Sequence, residues 1–386
     1  MPAPSIRPDF SLRRALIHQR TLIPFLLALL LLWPAAASAQ KADLVYISNV
    51  TGTHAGGAAL LSIEEQTAAS LDRLGIELSA QGLDYSDVVV SNLFLRDSRH
   101  FQGMNGVYRT YFETDPPTRA TVQADLMDPE ALFQISVVAA RGPKEIIKPA
   151  GLKSPELPYS WGVRVGSTVF VSGATSRSPE TYQPVPGDVT TQTRRIFGNI
   201  GMVLEEAGMS YANLVSCRVF LDDPRMFEEM NRTYREFVPA ADPPARATVR
   251  ARLVNDLFST EIQCVAEDAA QREVVMAQGQ ARPTSPFSPG IDTGNRVYLA
   301  GVVGRGADIS EETRVALDGI LSTLEAASKG FGDVEDVWVY LADIRDWNVV
   351  QAILKETLGD DMPAPTVIGT RLMGRSGVEI QVVTGG

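Results

Sequence analysis

The sequence predicts an α+β fold made three times over, in tandem copies of one unit of about 120 residues. Three observations carry this. The run YRTYFETDPPTRATV at 108–122 returns as YREFVPAADPPARATV at 234–249, so that Arg119 and Arg246 stand 127 residues apart and Asn105 and Asn231 stand 126 apart. A weaker third copy ends in PAPTV at 363–367 and VEIQVV at 378–383, the latter matching TEIQCV at 260–265, with Glu261 and Glu379 118 apart. Within each copy, stretches of alternating apolar residues interleave with two stretches of helical spacing, the pattern of helices covering one face of a sheet.

Each copy opens on a β-rich stretch: Asp43 to Ser48, Thr168 to Ser172, and Arg296 to Ala300. A helix follows, marked by Leu71, Leu74 and Leu78 in the first copy, by Ile196, Ile200, Val203 and Leu204 in the second, and by Leu317, Ile320, Leu321 and Leu324 in the third. Ser62 with Glu65, and Asp308 with Glu311, have the spacing of capping boxes. A strand comes next (SNLFLRD, SCRVFLDD, DVWVYLAD), then a helix with an aromatic stripe, Phe101, Met104, Tyr108 and again Phe227, Met230, Tyr234. That stripe is expected to face the core and is given no chemistry. Two strands close the unit. The boundaries expected are 1–39 for a leader, 40–142, 158–268 and 285–386 for the copies, and Pro-, Ser- and Gly-rich linkers at 143–157 and 269–284. The first copy lacks a counterpart of the strand around Tyr159 to Val163, so its sheet is expected to be short at one edge.

The leader reads as a signal peptide. Arg7, Arg13, Arg14 and Arg20 precede an apolar run from Thr21 to Trp33, and Ala37-Ser38-Ala39 is a small-residue cleavage site that leaves Gln40 first. Thirteen apolar residues are too few for a spanning helix, which needs roughly 20. Removing residues 1–39 takes the formal charge from −11 to −14. The mature protein is therefore expected to be exported, periplasmic or secreted, with no membrane partner. An acidic chain also argues against a nucleic-acid partner. Cys217 and Cys264 are too few for a disulfide framework and lack metal spacing; buried free thiols are the expectation, with a bridge left open. His54 and His100 stand alone, and neither metal nor organic cofactor is expected.

The second copy resembles the RidA/YjgF family along its length, through PYSWGVRVGSTVFVSG at 158–173, the MNRTY helix, PPARATV at 243–249 and EIQCVA at 261–266. The resemblance implies a RidA-like (chorismate-mutase-like) domain, a mixed sheet with two helices on one face. It also implies the family's trimer, with ligand clefts between subunits, here as a pseudo-trimer within one chain. It implies hydrolysis of small 2-imino or 2-enamino acids to 2-oxo acids and ammonia, an arginine holding the carboxylate and a glutamate positioning water. The residue types suit this, since a guanidinium fork grips a carboxylate bidentately and a carboxylate shuttles a proton.

Carried over, the resemblance implies catalytic roles for Arg246, Glu261, Arg119 and Glu379, and substrate contacts from Tyr159, Ser172, Gly173, Asn231, Thr248, Asn105 and Thr121. The second copy carries the full set, which makes Arg246 the residue expected to matter most. The first has Gln134 for the glutamate and Asn49 for the glycine. The third keeps Gly301 and Glu379 but has Phe287, Gln351 and Ala364 for the tyrosine, asparagine and arginine. The retained halves favour clefts shared between copies, Arg119 with Glu261 and Arg246 with Glu379. Gly301, Gly304 and Gly306 lack phosphate-loop spacing and read as a turn. A deaminase stands ahead of two other readings, an exported carboxylate-binding module without turnover and a purely structural pseudo-trimer. The family's ribonuclease label fits neither the charge nor the export signal.

Overall fold

In the computed structural model, residues 40–53 and 62–385 are described; the expected leader and His54 lie outside them. Copy one contributes β1 (Asp43–Thr51), α1 (Ile63–Ala80), β2 (Val88–Leu95), α2 (Phe101–Tyr111), β3 (Thr118–Gln123) and β4 (Phe133–Arg141). Copy two runs β5 (Lys144–Ile147), β6 (Gly162–Val165), β7 (Thr168–Ala174), α3 (Val189–Glu206), β8 (Leu214–Leu221), α4 (Phe227–Tyr234), β9 (Ala245–Arg250), β10 (Arg252–Leu253) and β11 (Thr260–Glu267). Copy three runs β12 (Glu273–Val275), β13 (Gly290–Asp292), β14 (Val297–Leu299), β15 (Val302–Val303), α5 (Ile309–Ala326), β16 (Val334–Leu341), α6 (Trp347–Leu358), β17 (Thr366–Gly369) and β18 (Val378–Thr384).

The three sheets share one plan. Their orders are β1-β4-β2-β3-β10, β5-β6-β7-β11-β8-β9 and β12-β13-β14-β18-β16-β17, with β15 also on β18. In each, the two strands flanking the second helix are parallel (β2 with β3, β8 with β9, β16 with β17) and the long closing strand is antiparallel to its neighbours. The α+β expectation holds. Sheet one has no equivalent of β5 and β6 among the described residues, so its edge is short as expected. The linkers are less plain than their composition. Strands β5 and β12 lie within them because Ile147 and Val275 bury their side chains at the start of the next sheet.

The period of two along the strands sorts side chains between two kinds of core. One face meets that copy's own helices: Leu93 and Leu95 against Leu71, Leu74 and Leu78, Val219 and Leu221 against Ile196 and Ile200, Val339 and Leu341 against Leu317 and Ile320. The opposite face of all three sheets enters one shared cluster in which Phe94, Phe220 and Tyr340 hold equivalent positions. Burying these faces against one another removes large apolar surfaces that a lone copy would expose. Ser62 and Glu65 form the expected capping box. Asp308 caps α5 through Glu311 N, but Glu311 turns back to Ala307 N, so the second box is only half made.

The cysteines depart from expectation. Cys217 and Cys264 are bonded to each other, not free. The antiparallel register of β8 and β11 sets them directly opposite, side chains on the same face, and no intervening group separates the sulfurs.

Adjacent copies meet through matching backbone segments. Ser160 N donates to Pro117 O and Ser288 N to Pro244 O, at 3.1 and 3.2 Å. Arg296, 1% exposed, ties all three together: it donates to Ala42 O of copy one and lies 3.8 Å from Glu267 of copy two and 3.4 Å from Glu335 of its own copy.

Candidate functional site

Strand β3 ends the parallel pair of copy one, and it lies against β7 of copy two. Arg119 on β3 therefore points across the boundary. Its guanidinium is buried, lies 5.2–5.8 Å from the ring centroids of Phe101, Tyr108 and Tyr159, and donates from Nη1 to Asn105 Oδ1 at 2.7 Å. Asn105 is itself oriented by donating Nδ2 to Phe101 O. From copy two comes Glu261, whose Oε1 accepts from Thr121 N at 3.2 Å. Burial pushes the Glu261 carboxyl up to about 8, only partly offset by the Thr121 N–H and the Arg119 charge. The same burial draws Arg119 below its ordinary value.

Gly173 is needed here for room: a Cβ on it would collide with Glu261 Oε1. Ser172 works as a clamp between copies, accepting from Arg119 N and donating to Ser160 O. The first cleft thus gathers Arg119 and Thr121 from copy one with Tyr159, Gly173 and Glu261 from copy two around about 360 Å³ of space, open mouth included, with Asn105 bonded behind Arg119. The Thr121 hydroxyl is buried without a partner.

The second cleft repeats the design between copies two and three. Arg246 on β9 is 4% exposed and faces Phe227, Tyr234 and Phe287 at 4.7–5.8 Å. Glu379 accepts from the Thr248 backbone N–H, and burial pushes its carboxyl up to about 8 as well, against the pull of Arg246. Gly301 gives Glu379 the clearance that Gly173 gives Glu261. Two differences stand out. Asn231 leaves Arg246 alone: both its amide atoms and Arg246 Nη1 are buried without partners. The cavity is also far roomier, about 1610 Å³ with its open mouth. The stretch between β7 and α3 runs 14 residues against nine between β14 and α5, and it brings Tyr182 to the first cleft, its hydroxyl bonded to Tyr159 at 3.0 Å.

The boundary between copies three and one is closed. The register of β17 on β16 places Pro365, not Ala364, at the arginine's position, because the loop before β17 shifts the PAPTV match by one residue. Asn49, in the left-handed region at φ 57°, accepts from Val367 N and from Gln134 Nε2 through Oδ1, and donates to Pro365 O. Its amide occupies the N–H that a glutamate takes in the other two clefts.

Of the arrangements open to the sequence, the structure has each arginine facing the next copy's glutamate. The full set of copy two is consequently divided: Tyr159, Ser172, Gly173 and Glu261 serve the first cleft, while Asn231, Arg246 and Thr248 serve the second. Sequence reasoning missed the aromatic stripes, which line both clefts as well as the core. It also missed Arg177, stacked on Tyr182 and Phe258 in the first cleft, and Arg305 in the second. Their signal was present, an arginine four residues after each cleft glycine. The turn glycines Gly301, Gly304 and Gly306 line the second cleft. Among the described residues no group of His, Cys, Asp and Glu is placed to hold a metal.

A repeated α+β unit whose boundaries pair an arginine of one copy with a glutamate of the next defines the class by its architecture, tandem copies of one domain with candidate sites between them. The chain belongs to the RidA/YjgF family: Endoribonuclease L-PSP matches three times, at residues 36–141, 152–268 and 278–384. A RutC family protein of Pyrococcus abyssi is 37% identical over 123 residues, 32% of this chain and 96% of its own. The chloroplastic Reactive Intermediate Deaminase A of Arabidopsis thaliana is 30% identical over 132 residues, 34% of this chain and 70% of its own. A chorismatase crystal structure, 14% identical, matches over 90% of this chain and 99% of its own with a TM-score of 0.54, a likeness of fold.

Proposed function

We propose that the first cleft hydrolyses small 2-imino acids to 2-oxo acids and ammonia. The observation that carries this is the convergence of Arg119 and Glu261, two buried side chains from different copies, on one cleft. The name of the Arabidopsis relative supports the same chemistry. Arg119 holds the substrate carboxylate, its orientation fixed by Asn105 and its attraction for an anion strengthened by the low-dielectric surroundings of three aromatic rings. Glu261, protonated at neutral pH, gives its proton to the imine nitrogen. The resulting carboxylate takes a proton from water as the water oxygen bonds to C2. The neutral carbinolamine then receives that proton on nitrogen, the C–N bond breaks, and the hydroxyl proton returns to Glu261 as ammonia leaves.

With a freshly generated 2-imino acid, Glu261→Gln lowers hydrolysis by about 10²–10⁴-fold, the usual weight of a general acid–base group. Affinity for pyruvate stays within a few-fold. At the first cleft Arg119→Ala loses both, leaving only pyruvate bound through Arg246 in the second, and Arg119→Lys recovers only part because an ammonium lacks the fork. Unchanged hydrolysis in Glu261→Gln rejects the mechanism and leaves a carboxylate-binding module.

We further propose that residues 1–39 direct export and are removed. The bonded pair Cys217–Cys264 supports this, because such bonds persist in oxidising compartments. A mature N-terminus at Gln40 is the expected result of N-terminal sequencing, and an intact Met1 in the exported fraction overturns it.

A further inference from the structure

The two arginine clefts are unequal in a way that bears on what each takes, granted the reading that the strand arginine holds a carboxylate. In the first, every cationic group is already engaged. Arg119 donates to Asn105, and Arg177 donates to Tyr182 O with its plane against Tyr182 and Phe258. In the second, Arg246 is buried over the Tyr234 ring with Nη1 unpartnered among the described residues, and Thr248, which lines the same cavity, has an unpartnered hydroxyl, as have Tyr234 and the Asn231 amide behind them. Buried polar atoms without partners are rare, and so many round one guanidinium mark a place shaped for a polar ligand.

In the same cavity lining stand Arg305 and Arg375, both exposed and, among the described residues, without an ion pair to another side chain. The acidic groups facing them are Glu379 and Glu312. Glu379 is held largely neutral, and Glu312 already accepts from Gly377 N at 2.6 Å. The cavity lining thus sets three arginines, one buried and two exposed, against one compensating carboxylate.

We infer that the second cleft binds dicarboxylic 2-oxo or 2-imino acids. The α-carboxylate sits on Arg246 and the distal carboxylate on Arg305 and Arg375. The first cleft, about 360 Å³ and lined by Tyr182, takes short monocarboxylates. Charge-assisted hydrogen bonds to a second carboxylate correspond to roughly 10–100-fold in affinity.

The test is calorimetry on Arg119→Ala protein, which silences the first cleft, with pyruvate and 2-oxoglutarate as probes. The expected result is 2-oxoglutarate binding at least tenfold tighter than pyruvate. Adding Arg305→Ala and Arg375→Ala abolishes that preference and leaves pyruvate affinity in place, whereas adding Arg246→Ala abolishes both ligands. Equal affinity for the two probes, or a preference that survives loss of the two exposed arginines, overturns the inference. Because the readout is binding in the second cleft, these outcomes are distinct from loss of hydrolysis in the first. A cleft that turns nothing over still shows the preference, and a hydrolase without the preference still fails the test.

Discussion

Glu261 and Glu379 are where single residues say most about the molecule. Both carboxyls are removed from water and rise to about 8, whereas in the unfolded chain they ionise near 4.3. Between those values the folded protein holds protons that the unfolded chain has released. The stability these groups contribute is thus complete below about pH 4 and is lost as pH climbs through 8. Chemical denaturation across pH 4–9 is expected to show this decline. In the double variant Glu261→Gln, Glu379→Gln the decline flattens, since an amide does not titrate; an unaltered slope means that the carboxyls are solvated. Hydrolysis, which needs the protonated form, is expected to fall above pH 8 in parallel. The identities of these residues were legible from the repeat, because PP-x-R-A-T-V and E-I-Q recur at fixed positions. What the sequence hid was partnership. The register that puts Pro365 at the arginine's place pairs residues 28 apart, the Asn49–Gln134 amide pair spans 85, and the Asn49 contacts that close the third boundary span 316 and 318.

At the scale of elements, the helices were legible because their stripes recur every three or four residues and their caps are local. The short strands β5 and β12 were not, because Pro-, Ser- and Gly-rich flanks outweigh one or two buried aliphatic residues in any local reading. The Cys217–Cys264 bond is a fact of pairing and not of spacing. Only when β8 and β11 are set antiparallel do residues 47 apart come opposite one another. The bond joins two central strands of the sheet that supplies Glu261 to one cleft and, through β9, Arg246 to the other. Closing a loop of that length restricts the unfolded chain, and replacing both residues with alanine is expected to cost about 2–4 kcal/mol. The urea midpoint of Cys217→Ala, Cys264→Ala protein measures it. A midpoint equal to that of the oxidised parent means that the bond adds nothing to stability.

For the whole molecule, the question is why three copies carry two arginine clefts among the described residues. The edge that carries the arginine in copies one and two faces one neighbour, and the face that carries the glutamate in copies two and three faces the other. A ring of three therefore has three boundaries, and three identical copies would make three sites. Here the boundary between copies three and one has given up the arginine, the glycine and the glutamate together. An asparagine in the left-handed region now satisfies the backbone that a ligand site leaves open. Coordinated loss on both sides of one boundary, with both halves kept at the other two, is what clefts shared between copies require. We propose that the copies close into a pseudo-trimer, with the shared cluster around Phe94, Phe220 and Tyr340 at its centre. Protein starting at Gln40 is then expected to scatter light as a single chain. It is expected to bind two 2-oxo acids per chain with unequal affinities, one site lost in Arg119→Ala and the other in Arg246→Ala. Gln134→Glu should add no third site, because Pro365 supplies no cation and Asn49 still fills the space. A mass near three chains, or three equivalent sites, rules out this closure.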